Sequence, residues 1–178
     1  GDIDIATPDR PEQVMALLDR ANIKNIPTGL AHGTITAVVS RRNFEITTLR
    51  VDIKSHGRHS DVAFTDNWQE DAARRDFTMN ALTCTPEGDL YDPCGGIPDL
   101  EVGLVRFVGD ATRRIEEDHL RLLRFFRFHA WFGKGAPDSN GLAAAVSSAQ
   151  SLRKLSGERI RNELLKLLAA KDPAPVID

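Results

Sequence analysis

Glu117-Asp118-His119-Leu120-Arg121-Leu122-Leu123-Arg124-Phe125-Phe126-Arg127-Phe128 decides how the second half of the chain folds. At 3.6 residues per turn its apolar side chains fall on nearly every side, so a helix here must be largely buried. It also carries Arg121, Arg124 and Arg127 at spacings of three. A buried charge without a partner is very costly, so these arginines need internal carboxylates or a bound anion. Asp118 and Arg121, one turn apart, set an acceptor beside a fork of donors. Such a pair can read the hydrogen-bonding edge of a base. Ion pairing within the fold fits the same residues equally well.

Around that stretch, residues 113–132 read as one long helix with Gly133 as its stop. A loop over 133–139 leads to helices over 142–152 and 156–168, the last capped by Ser156. Upstream the texture alternates between strand and helix. Ile3 and Ile5 share one face of a short strand while Asp2 and Asp4 share the other. Thr7-Pro8 followed by Glu12 marks a helix start, with Val14, Leu17, Leu18 and Ala21 as its apolar stripe. Residues 34–39 and 44–49 are β-branched and flank Arg41-Arg42-Asn43, the expected turn between paired strands. Residues 54–66 are expected to form a mobile loop, 68–82 a helix, and 90–108 short strands and turns around Pro93-Cys94-Gly95-Gly96. The expectation is an α+β chain: an α/β head on a small sheet, residues 1–109, followed by an all-α module, residues 110–178.

Composition sets outer bounds. The 178 residues are 41% hydrophobic and 28% charged, which excludes a disordered chain. No apolar run approaches the length that spans a bilayer. Cys84 and Cys94 have no metal-ligand company and read as free thiols in a reducing cytoplasm. Residues 1–104 hold 10 Lys/Arg against 17 Asp/Glu, net −7, and residues 105–178 hold 13 against 9, net +4. An acidic half before a basic half is compatible with metal on one and nucleic acid on the other. The chain opens on a strand already in progress and ends on Lys171-Asp172-Pro173-Ala174-Pro175, a linker-like tail, so a fragment is expected.

Two carboxylates on one face of a rigid strand, Asp2 and Asp4, can hold a pair of divalent ions. Magnesium (Mg2+) suits them, because it takes oxygen ligands and keeps waters and phosphates as the remainder. A solvent-facing strand explains an isolated Asp-x-Asp as well. Glu45, on a neighbouring candidate strand, is a third carboxylate, with Asp52 as its competitor. In the segment 70–82, Arg75 can address phosphate oxygens as a bidentate donor, and Asp76 and Asn80 would share a helix face. Ion pairing with Glu70 or Asp71 is the alternative.

In order along the chain, these segments resemble the class II CCA-adding enzymes and the bacterial poly(A) polymerases. The stretches that carry the resemblance are Asp2-Ile3-Asp4-Ile5-Ala6-Thr7, Arg74-Arg75-Asp76-Phe77-Thr78-Met79-Asn80-Ala81-Leu82, and Asp92-Pro93-Cys94-Gly95-Gly96-Ile97-Pro98-Asp99-Leu100, followed by residues 117–128 and Ser156-Gly157-Glu158-Arg159-Ile160-Arg161-Asn162-Glu163-Leu164. The resemblance implies a nucleotidyltransferase head with flanking helices and a helical neck that selects the nucleotide. Asp2 and Asp4 would bind magnesium, with Glu45 as third carboxylate. Arg75, Asp76 and Asn80 would grip triphosphate and sugar. Asp118 and Arg121 would pair with the base of CTP or ATP, supported by Arg124 and Arg127. The reaction implied is CCA addition to the 3′ end of tRNA. The family's glycine-rich turn ahead of the Asp pair is not in this sequence, so the 178 residues alone are expected to be impaired. A poly(A) polymerase, an enzyme adding only CC or only A, and a non-catalytic RNA-binding module are the alternatives. A sugar transferase using Asp-x-Asp would leave the arginine segments without a role.

Overall fold

The computed structural model describes residues 3–56 and 59–177, with side chains described outside 54–61. The chain divides into two compact units, one built from Gly1–Lys54 and Ser60–Arg74 and the other chiefly from Arg75–Asp178.

The first unit contains β1 (Asp4–Thr7), α1 (Pro11–Arg20), β2 (Lys24–Gly29), a 3₁₀ turn (Leu30–His32), β3 (Thr34–Val39), β4 (Arg42–Thr48), β5 (Arg50–His56), β6 (His59–Phe64) and α2 (Trp68–Ala73). Four strands form a sheet in the order β1-β4-β3-β2, and β5 pairs with β6. β1 runs parallel to β4 with Asp4 opposite Glu45 and Ile5 opposite Ile46. β3 is antiparallel to β4, with Thr36 opposite Glu45 and Ile35 opposite Ile46. The two-residue period of a strand then lines Ile5, Ile46 and Ile35 across one face and Asp4, Glu45 and Thr36 across the other. Pro27 is tolerated because β2 is an edge strand whose register shifts between Ile26 and Gly29.

Three local expectations shift in this unit. The hairpin turn falls at Ser40-Arg41 rather than over 41–43, with φ of 52° and 65°. Two consecutive left-handed residues make the tight turn whose twist matches the paired strands. α1 begins at Pro11, where the missing N–H costs nothing, and the Gln13 side chain accepts from the Arg10 N–H at 2.8 Å. Its inward face uses Pro11 and Val14, leaving Leu17 52% exposed. The stretch 54–66, expected as a loop, lies largely in β5 and β6. Its residues are mostly polar, and the apolar pair Val62 and Phe64 alone is too short a pattern to announce the strands.

The second unit contains a 3₁₀ turn (Thr78–Ala81), β7 (Thr83–Cys84), β8 (Leu90–Tyr91), α3 (Gly96–Val102), α4 (Ala111–Glu117), α5 (Leu120–Phe132), α6 (Ser139–Ser147), a 3₁₀ segment (Ala149–Lys154), α7 (Gly157–Leu168) and α8 (Ala174–Ile177). Its core gathers Phe77, Val105, Phe107, Ile115, Leu122, Phe125, Ala144 and Ala145. Phe107 stacks on Phe125 at 5.5 Å between ring centroids, and Phe77 tilts against Phe107 at 4.8 Å. Complete burial of a phenylalanine such as Phe77 or Phe125 contributes roughly 1.5–3 kcal/mol.

The single helix expected over 113–132 is two. Asp118 is extended at φ −149°, ψ 107°, and its carboxylate accepts from the Leu120 N–H at 3.1 Å, which ends α4 and restarts the chain as α5. The helix expected over 68–82 likewise stops at Ala73, because Phe77 is extended and pairs with Phe107. α3 occupies part of 90–108, where only strands and turns were expected. α6 starts earlier than residue 142, where the Asp138 side chain accepts from the Gly141 N–H at 2.7 Å. Ser156 caps α7 as expected. Sheet and helices segregate along the chain, and the protein is α+β.

Candidate active site

In the first unit, β1 and β4 set Asp4 and Glu45 side by side on one sheet face, both exposed. No ion pair or side-chain hydrogen bond among the described residues engages either carboxylate. Asp2 lies outside the described residues, and no group of three metal-ligating side chains converges among those that are described. Asp52, the competitor of Glu45, sits on β5, in the separate two-stranded sheet. Asp4 and Glu45 offer hard oxygen donors from two adjacent strands, a donor set that fits magnesium.

In the second unit, Asp76 is 8% exposed and organises the predicted phosphate and sugar residues. Its Oδ1 accepts from the Phe77 N–H at 2.9 Å and from Asn80 Nδ2 at 3.0 Å, and its Oδ2 accepts from Arg124 Nε at 2.6 Å. Burial pushes this carboxyl up, but the Arg124 charge and the bonds from Asn80, Arg124 and Phe77 outweigh it and hold it below the ordinary carboxylate range. Asp76 and Asn80 meet through a 3₁₀ turn rather than on the α-helix face expected for them. The half-buried Arg75 precedes them and is engaged in contacts of its own.

Each arginine of α5 has found an internal carboxylate. Arg124 pairs with Asp76, and Arg127 pairs with the buried Glu163 of α7. Both guanidinium groups also lie against Phe128, at 5.3 and 4.1 Å from its ring centroid. Arg121 donates to Glu117 Oε2 at 2.6 Å and to the Arg114 carbonyl at 3.1 Å. Asp118 pairs with Arg159 of α7 at 2.8 Å. Asp118 and Arg121 are therefore linked through the backbone, with the Arg121 N–H donating to the Asp118 carbonyl at 2.9 Å, while their side chains hold different partners. Glu117, Arg159 and Glu163 were not singled out as site residues. The need for internal carboxylates was legible, but which ones lie near was not.

A further network underlies the turn. Thr78 Oγ1 donates to the buried Asp99 Oδ2 at 2.6 Å, and Arg106 Nη2 reaches the same oxygen at 2.9 Å. Asp92 accepts from the Gly96 and Ile97 N–H groups at 2.7 and 2.9 Å, opening α3. Gly96 lies so close to the turn that a Cβ there would sit 2.4 Å from the Thr78 carbonyl oxygen. A groove of about 600 Å³ near Arg106, Asp110, Asp138 and Asn140 contains none of the predicted site residues. Cys84 and Cys94 are free thiols, and burial with the nearby Asp92 charge pushes Cys94 up.

Residues 1–106 match the poly(A) polymerase head domain family. The chain belongs to that family. Residues 138–178 match a second family, the probable RNA- and SrmB-binding site of polymerase A. Among the head-domain relatives, the mitochondrial CCA tRNA nucleotidyltransferase 1 of Danio rerio is 43% identical over 180 residues, 99% of this chain and 42% of that protein. Its counterpart in Homo sapiens is 46% identical over 170 residues, 94% of this chain and 39% of that protein. The crystal structure of the Bacillus stearothermophilus CCA-adding enzyme in complex with CTP superposes with a TM-score of 0.87 at 37% identity, covering 99% of this chain and 42% of that one. The chain thus spans about two fifths of the length of these family members. No helix among the described residues is long and apolar enough to cross a membrane.

Proposed function

We propose that this chain carries the catalytic head and nucleotide-selecting neck of a CCA-adding tRNA nucleotidyltransferase, with the head over residues 1–109 and the neck over 110–178. The reaction transfers CMP from CTP and AMP from ATP to the 3′ end of tRNA. The RNA 3′-hydroxyl oxygen forms a bond to the α-phosphorus as the bond to pyrophosphate breaks. The observation that carries this reading is the likeness over 99% of the chain to an enzyme solved with CTP. Two free cysteines accord with a cytoplasmic setting.

Asp4 and Glu45, together with Asp2, hold magnesium in this reading. Bound there, the metal supplies neutralising charge for the phosphates and lowers the cost of ionising the attacking hydroxyl. Arg75 addresses the triphosphate. Asp76 steers Arg124 and Asn80 toward triphosphate and sugar, and Arg127 adds positive charge beside Arg124. Asp118 and Arg121 read the base, so the protein stands in for a template.

The test uses the full-length protein carrying this chain, with a tRNA ending before its CCA. Asp4→Ala and Glu45→Ala are expected to lower kcat for CMP incorporation by roughly 100-fold or more while CTP still binds. Incorporation by both variants at the unsubstituted rate would overturn the assignment of these carboxylates.

A further inference from the structure

We infer that Arg159 of α7 is a specificity-determining positioning residue, fixing the Asp118 carboxylate as an acceptor for an exocyclic amino group on the incoming base. The inference rests on the proposed reading of Asp118 as a base-contacting residue and adds the group that aims it.

Arg159 Nη2 donates to Asp118 Oδ1 at 3.1 Å and to Oδ2 at 2.8 Å. The Leu120 N–H also donates to Oδ1 at 3.1 Å. A carboxylate oxygen offers about two lone-pair sites, so Oδ1 is saturated and Oδ2 retains one. The carboxylate is thus locked in rotation, with one open acceptor direction. Its side chain is 22% exposed, so that direction is not sealed inside the core. The Arg159 end of α7 is itself fixed. Ser156 Oγ accepts from the Arg159 N–H at 3.4 Å, Glu163 of the same helix holds Arg127 of α5, and Trp131 Nε1 of α5 donates to the Lys166 carbonyl at 2.8 Å.

Cytosine and adenine present an amino donor where uracil and guanine present a carbonyl acceptor. An aimed, acceptor-only carboxylate accepts the first two and repels the second two. Without Arg159 the carboxylate keeps only its bond to Leu120 and can swing, so the wrong bases lose their penalty. Arg159 acts through Asp118 and need not touch the nucleotide.

The experiment measures kcat and KM for CTP, ATP, UTP and GTP with the full-length protein, on a tRNA ending before its CCA, for Arg159→Gln and Arg159→Lys. A ratio of kcat/KM between CTP and UTP is independent of how much protein is folded, so a general loss of structure does not move it. Arg159→Gln is expected to raise KM for CTP more than it lowers kcat, and to cut the CTP-over-UTP preference on the order of tenfold. Arg159→Lys, which keeps the charge but not the planar fork, is expected to restore part of that preference. An unchanged ratio in Arg159→Gln, or in Arg159→Lys where the glutamine variant fails to fold, would overturn the inference while leaving the nucleotidyltransferase reading intact. An unsubstituted protein that incorporates neither CMP nor AMP would instead overturn the reading beneath it.

Discussion

Asp76 holds a backbone N–H, an asparagine amide and a guanidinium at once, and each of the three prefers its ionised form. Its carboxyl is therefore held below the 3.8 of an unperturbed aspartate. Because the folded value is the depressed one, its contribution to stability is complete above the unfolded value. It fades as pH falls through the folded one. Unfolding by urea across pH 2–7 is expected to show a shallower acid-side loss in Asp76→Asn than in the unsubstituted chain, the two slopes differing only below about pH 4. Parallel curves would assign the acid sensitivity elsewhere. Arg41 makes a separate case at this scale. It sits at φ 65° in the β3–β4 turn, where a side chain costs about 1 kcal/mol and glycine little. Arg41→Gly is expected to raise the free energy of unfolding, read from urea titration, by an amount of that order, less the entropy glycine adds to the unfolded chain.

At the scale of elements, the 3₁₀ turn Thr78–Ala81 depends on what lies beneath it. Gly96 leaves no room for a Cβ against the Thr78 backbone, whereas Gly157, at the start of α7, meets nothing within 4 Å. Gly96→Ala is expected to cost about 2 kcal/mol in thermal or urea unfolding and to displace Asp76 and Asn80, lowering nucleotide affinity. Gly157→Ala is expected to be neutral or mildly stabilising. Equal effects of the two would mean that the close approach is relieved by small shifts elsewhere. The same elements show what a sequence can and cannot reveal. The buried α5, the cap at Ser156 and the pairing of β3 with β4 were legible, because periodicity and capping chemistry are local. The break at Asp118 was not, since a carboxylate that bonds its own backbone at i+2 looks in sequence like any helical aspartate. In β5 and β6 the apolar alternation is confined to Val51 and Ile53 and to Val62 and Phe64, with only polar residues and one glycine in the sequence between, and α3 depends on a loop aspartate gathering amide groups. Among the site residues, the Asp4–Glu45 pairing followed from strand alternation once the two strands were neighbours. The partners Arg159 and Glu163 lie 41 and 36 residues along the chain from the groups they hold, beyond the reach of any local pattern.

Over the whole molecule, chemistry is divided along the chain. The acidic first part sets Asp4 beside Glu45, the carboxylates proposed to hold metal, and the basic second part supplies arginines anchored on internal acids. In the proposed function, arginines pre-positioned in this way would meet a polyphosphate without reorganising, which favours electrostatic catalysis. Family membership fixes the fold, and in the proposed function the protein itself dictates which nucleotides are added and when addition stops. The most direct measurement is the product formed by the full-length protein with magnesium and a tRNA lacking its 3′ CCA, given CTP and ATP separately and together. CCA addition that stops at the final A is the predicted result. A long A tract from ATP alone on a generic RNA would contradict it in favour of poly(A) synthesis. No incorporation with RNA binding intact would contradict catalysis altogether.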